Sequence, residues 1–546
     1  MKIGNNTFGG MRPSVSPDLL PEGDAQYALN TKLIGGDLDP YLGLGTPGAG
    51  VTFSGGTVKS IYRFGQLSAS EVLYWFQFTT DVDVVKGPID NDTEEKTYWT
   101  DGTYPKKGTA AMVTGSPPYP TSSYRMGIPA PSAALSASVS GSPTDAADPA
   151  ETVTYVVTYV SAWGEEGPPS PASTSVSWKP GQTVNLTSIP TAPGGSYNIT
   201  GKRIYRSAAG SLSTKFQLVN TEGDVAIATT TYNDTKLTAV LGDTLATTGW
   251  LEPPDAMIGL CAMANGVLAG FTGNTVCFSE PYAPYAWPTR YQRSTDAPIV
   301  GIAAFDQSLF VGTTQGIYIF TGTDPGSISS EKLPVAQSCV AKRSIVPMLG
   351  GVIFASPDGL MRASASGVEN ITASLMTRTE WQAYVPASIT AFESDSNYLA
   401  FYDTGAVTGG MIFAFGDKPT FTLTDVYATA GFRDKGRDAL YLVVSNVLKK
   451  WDAGTALTYT WTSGVFRLPY ETNMGCARVD AAGYPVTFKL YADGALKHTE
   501  AVASNQPFRL PADYRSMRYY YQLSGTSKVR SVEVAQVPRQ LARDGN

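Results

Sequence analysis

A single histidine, His498, in 546 residues limits the chemistry open to this chain. Ser-His-Asp or Cys-His nucleophilic catalysis would have to use that one side chain, and a histidine-rich zinc site cannot be built. His498 follows the hairpin turn of ADGALKH, a place that suits a solvated strand residue. Carboxylate pairs remain, because glycoside hydrolysis needs only two suitably spaced Asp or Glu residues. The candidates are Glu165 with Glu166 and Glu393 with Asp395, all in turn-like segments where solvation alone accounts for the charge. Gly43-Leu44-Gly45-Thr46-Pro47-Gly48 has the form GxGxxG, but a dinucleotide site needs a strand before it and a helix after it, and AGVTFSGG follows. Ser356-Pro357-Asp358-Gly359 is a strong turn. Asp81-Val82-Asp83 alternates along a strand and lacks the glycine of a calcium loop. Cys261, Cys277, Cys339 and Cys476 are far apart without CxxC spacing, and read as scattered buried thiols rather than a metal or disulfide framework. Arg518-Tyr519-Tyr520-Tyr521 could stack on bases; a sandwich strand with tyrosines on both faces explains it with less. The expectation is a non-enzymatic chain with no catalytic, cofactor-binding or metal-ligating residues.

The elements that would carry these residues are β-strands. Charged residues make up 16% of the chain against 42% hydrophobic, with 55 Gly and 30 Tyr, the profile of a turn-rich β protein. No amphipathic stretch longer than about four turns is present. The net charge of −7 argues against a protein that grips phosphates. Residues 456–546 carry more Lys and Arg than acid, which suits docking on an acidic partner. No leader-like start and no run of some 18 apolar residues occurs, so synthesis in a cytoplasm without an integral membrane segment is expected.

Along the chain, residues 1–57 read as an extended arm, with 24–33 as a short helix capped by Asp24. Residues 58–115 read as one antiparallel sheet of three or four strands, a propeller blade. Residues 116–131 are a Ser/Pro/Ala/Gly linker. Residues 132–249 resemble a fibronectin type III or immunoglobulin-like sandwich, in which the strand from Lys202 to Arg206 has Ile204 and Tyr205 between basic flanks. Residues 250–455 repeat at roughly 40 residues with three or four strands per unit, the signature of a β-propeller into which the sandwich is inserted. ASLMTRTEWQA, 373–383, interrupts that pattern as the best helix candidate. Residues 456–546 form a second sandwich with a polar tail. The fold class is therefore all-β.

The segment FGGMRPSVSPDLLPEGDAQYALNTKLIGGDLDPYLG resembles the N-terminal arm of the distal tail tube, or nozzle, proteins of short-tailed bacteriophages. The matching positions are an AQxAxN core, Ala25, Gln26, Ala28 and Asn30, and a following turn, Gly36, Asp37, Leu38 and Pro40. LMTRTEWQAYVPASITAFESDSNYLAFYD, VTFKLYADG and QPFRLPADYRSMRYYYQLSG are also similar to that group and stand in its order. The resemblance implies a structural virion protein of the tail: a homohexameric ring below an adaptor, in contact with tail fibres. The arm and C-terminal sandwich would build a platform, propellers would extend the conduit, and double-stranded DNA would pass through without specific binding. The rival expectations are a glycan-binding adhesin and a propeller-type depolymerase.

Overall fold

The computed structural model describes residues 1–541 except 34, 66–69, 209–214 and 417, and the side chain of 208; most of the polar tail lies outside that range. The chain is all-β, a propeller with a fibronectin type III-like sandwich inserted and a second β-sandwich at its C-terminal end. Helix is confined to short segments, notably Ala110–Val113 and Arg378–Gln382. The latter sits within the expected 373–383 segment. Its Thr377 and Glu380 form a reciprocal capping box, and buried Trp381 donates to the Ser356 carbonyl at 2.8 Å.

Among the described residues, seven sheets surround one axis. Blade 1 is Ser60–Arg63 with Trp75–Phe78, and blades 2 to 6 have four strands each, at 83–125, 258–294, 299–332, 346–370 and 390–424. Blade 7 is built from Ala430–Asp434, Ala439–Val444 and Val447–Lys450. The first strands of successive blades touch from blade 2 through to blade 7, and blade 7 touches blade 1. Each blade-to-blade face has its own apolar core. Blades 1 and 2 share Tyr62, Phe76 and Trp99, for example, and blades 7 and 1 share Val58, Trp75 and Tyr441. A ring closed by such faces leaves each sheet covered on both sides.

Three sequence expectations are corrected here. The 58–115 region is two blades rather than one sheet, because Ser60–Arg63 pairs with Trp75–Phe78 while Asp83–Lys86 starts a separate ladder. The 116–131 segment is not a free linker, since Tyr124–Arg125 is the last strand of blade 2. The arm is not a helix at 24–33: Ala25–Leu29 is a strand, antiparallel to Tyr459–Ser463 and bridged in parallel from Leu29 to Leu423 at the rim of blade 6. The arm thereby joins the propeller and the C-terminal sandwich into one ten-stranded sheet. Further on, arm residues Gly45 and Thr52 pair with Lys450 and Val447, adding an outer rung to blade 7.

The C-terminal sandwich packs that long sheet against a second one, Phe508–Arg509, Cys476–Ala481, Val529–Ala535 and the arm's Lys2–Asn5. Trp461, Phe488, Tyr521 and Val532 fill the space between, in a core that also takes in Phe8 and Met11 of the arm. In the inserted sandwich, Ser136–Ser140, Thr183–Thr187 and Tyr232–Asp234 face Tyr155–Ser161, Ile199–Ala208 and Lys215–Leu218. The Pro-rich 165–173 segment runs along the free edge of Tyr155–Ser161, where Gly167, Ser170 and Ser173 donate to the strand at 2.9–3.0 Å. Prolines fit there because an edge leaves amides unpaired.

Candidate functional site: the propeller axis and the seam beside it

The first strands of all blades run in the same sense, so the turns that lead into them gather at one mouth of the axis. Two of these turns carry charge inward. Asp81 and Asp83 stand at the entry to blade 2, and Lys342 and Arg343 in the turn before blade 5. Lys342 pairs with Asp83 and, at 3.2 Å, with Asp81; Arg343 pairs with Asp81 and, at 3.5 Å, with Asp83. The Gly259 amide of blade 3 donates to Asp83 at 3.0 Å, and Arg343 donates to the Val82 carbonyl at 2.9 Å and to Ser60 at 3.2 Å. Blades 1, 2, 3 and 5 are thus tied together across the axis by one network. Asp81-Val82-Asp83 is explained as half of this latch.

The arm motif stitches the seam. Ala25 and Ala28 are in the core, Gln26 donates to the Ser463 carbonyl at 2.7 Å, and buried Asn30 donates to Thr458 at 3.3 Å. Asn30 adopts φ +56°, a left-handed geometry that asparagine tolerates. Leu38 is fully buried and exchanges backbone bonds of 2.9–3.0 Å with Val529, while Asp37 and Asp39 pair with Lys528 at 3.5 and 2.7 Å. Gly43 and Gly45 of the GxGxxG run lie against 450–455. A Cβ at Gly45 would come within 2.9 Å of the Ala453 carbonyl, so close backbone approach accounts for the glycine.

The paired carboxylates do not form a cleft. Glu165 and Glu166 are only 6% and 8% exposed, contrary to the solvated turn expected. Glu165 is held by Lys107 of blade 2 and by Ser161, and Glu166 takes bonds from Thr158, Arg203 and Tyr205 at 2.6–2.7 Å. Burial lowers the Lys107 ammonium, with Glu165 opposing that shift. This pair docks the sandwich on blade 2, beside a Tyr124–Trp163 edge contact at 5.8 Å. Glu393 accepts from Arg433 at 2.9 Å, and Asp395 is exposed at φ +50°.

His498 lies 3.2 Å from Glu500, with its ring stacked on Phe508. Ser356 and Gly359 close the blade 5 hairpin, where Asp358 pairs with Arg378 at 3.2 Å. Tyr519 and Tyr521 point into the core, Tyr520 stacks on Tyr491 at 4.6 Å, and Arg518 pairs with Asp18 of the arm at 2.7 Å. Burial pushes the thiols of Cys261, Cys277 and Cys339 up to about 12, and Cys261 alone of the four is partly exposed. Among the described residues no three His, Cys, Asp or Glu side chains gather as a metal site requires, and no helix is long and apolar enough to cross a membrane.

Sequence reasoning missed Lys342 and Arg343. Their only signal is two adjacent cations in an otherwise apolar repeat, AKRSIVPM.

No protein family matches this sequence, and no curated protein does. Among solved structures the chain is similar to virginiamycin B lyase from Staphylococcus aureus, at 10% identity over 68% of this chain and 98% of that one, with a TM-score of 0.27. PorZ of Porphyromonas gingivalis is 12% identical over 90% of this chain and 82% of its own, TM-score 0.25. A gluconolactonase from Xanthomonas campestris is 10% identical over 74% and 97%, TM-score 0.22. At these TM-scores the propeller assignment rests on the chain's own sheet order and ring of cores.

Proposed function

We propose that this chain is a structural virion protein, a subunit of a homohexameric nozzle at the end of a short phage tail. The observation that carries the reading is the arm. Within the stretch that resembles the nozzle family, Ala25 to Pro40, the strand Ala25–Leu29 stitches the long sheet of the C-terminal sandwich to blade 6, and Lys2–Asn5 at the start of the same arm adds a strand to the other sheet. An arm joined to the sandwich in this way supports a platform of the kind the resemblance implies, with the propeller extending from it. In this reading the latch keeps each propeller axis shut, so DNA runs along the common axis of the ring. The acidic balance of the chain suits a lumen that does not hold phosphates. The basic C-terminal sandwich is the surface that meets the adaptor. Six-fold averaged images of virions, with the protein marked by an antibody fragment, test this. Density on the tail axis below the adaptor is expected, and density off that axis overturns the reading.

A further inference from the structure

Beside the latch, at the same mouth of the axis, two clefts of about 260 and 490 Å³ meet, and both are lined by Tyr427 and Thr429. Together they fall in the size range of clefts that hold small ligands, roughly 300–1,000 Å³. Tyr427 stands as the wall between them, its ring set edge-on to buried Phe401 at 6.5 Å. Thr429 Oγ1 and Arg343 Nε are buried without a hydrogen-bond partner. Such orphaned groups are uncommon and costly. Thr390 lines the smaller cleft, and so does Lys59, an exposed cation engaged in no ion pair among the described residues.

Hydroxyl side chains, one aromatic wall and one free ammonium suit a ligand rich in hydroxyls, with an apolar ring face and a negative charge. Asp81 in the smaller cleft and Asp425 in the larger disfavour a polyphosphate. We propose that this axial cleft binds a short acidic oligosaccharide, with Tyr427 stacked on a pyranose ring, Thr390 and Thr57 bonded to its hydroxyls, and Lys59 paired with a hexuronate carboxylate. The inference does not rest on the nozzle reading, and the failure of either leaves the other standing.

Titration calorimetry of the full chain with trigalacturonate tests it, with maltotriose as the uncharged control and inorganic phosphate as the bare anion. Trigalacturonate should bind at least ten times more tightly than either. Tyr427→Ala should weaken it at least tenfold. Lys59→Ala, at an exposed position that does not threaten the fold, should bring it down to the level of maltotriose. No binding of trigalacturonate, equal binding of maltotriose or of phosphate, or affinity unchanged in the Lys59 variant would each overturn the proposal.

Discussion

Arg63 of blade 1 and Asp434 of blade 7 form an ion pair of 2.6 Å with side-chain exposures of 0% and 1%, at the join where the propeller ring closes. Removing one partner of a buried pair strands the other charge, which costs about 3–5 kcal/mol, whereas replacing both with apolar side chains is often neutral. Asp434→Ala should therefore destabilise the propeller by at least that amount, and Arg63→Met with Asp434→Leu should recover part of it, because the Gly436 and Arg437 amides that donate to Asp434 stay unpaired in both proteins. Thermal unfolding of the three proteins checks this; a double variant no better than the single one would show that the join needs the charge itself.

The axial latch divides into a strong half and a weak half. Asp83 is shielded and takes bonds from Lys342 and the Gly259 amide, while the Asp81 side chain is 42% exposed. Exposed pairs contribute about 0–1 kcal/mol, and losing a partner that leaves a sheltered donor unsatisfied costs about 1–3 kcal/mol. Asp83→Ala should lower the unfolding temperature clearly more than Asp81→Ala. Hydrogen exchange at the start of blade 3 should quicken in the first variant and not in the second.

The strands and the turn rhythm of the blades were legible because they are local. Alternating apolar residues between Gly- and Asp-bearing turns set each hairpin, as at Ser356 to Gly359. What was not legible depends on partners far along the chain. Ala25–Leu29 reads as helical because Ala, Gln and Leu favour helices and Asp24 can cap one, yet strand pairing on both flanks outweighs that small preference. Glu165 and Glu166 read as solvated because their partners, Lys107 and Arg203, stand 58 and 37 residues away. The latch was half visible: a carboxylate pair on one strand says nothing of two cations that lie some 260 residues later.

The arm deletion separates two roles the sequence had merged. Residues 1–57, read from the sequence as an extended arm outside the repeats, would on that reading be lost with the propeller intact. The contacts indicate otherwise, because Gly45 and Thr52 pair with blade 7, while Tyr41 and Phe53 are buried at its two faces. Deleting residues 1–31 should raise amide exchange at Tyr459–Ser463 and Thr420–Thr424 and leave blades 1 to 4 protected. Deleting 1–55 should in addition expose Val447–Lys450. Exchange measured by mass spectrometry checks both, and equal protection of blade 7 in the two truncations would refute the closing role of 43–53.

Lys202 offers a test by pH. It is fully buried in the inserted sandwich, its ammonium donates to the carbonyls of Pro190 and Thr229, and burial lowers it from 10.5 to about 8. Below pH 8 it is protonated in both the folded and unfolded chains, and the penalty of burying the charge is present in full. Between pH 8 and 10.5 the unfolded chain holds the proton and the folded chain does not, so its contribution to stability rises with pH. Lys202→Met removes the titration but leaves two carbonyls without a donor, a cost that does not vary with pH. The difference in melting temperature between parent and variant should therefore move in the parent's favour from pH 7.5 to 10. A constant difference across that range would mean that Lys202 titrates at its ordinary value in the folded sandwich.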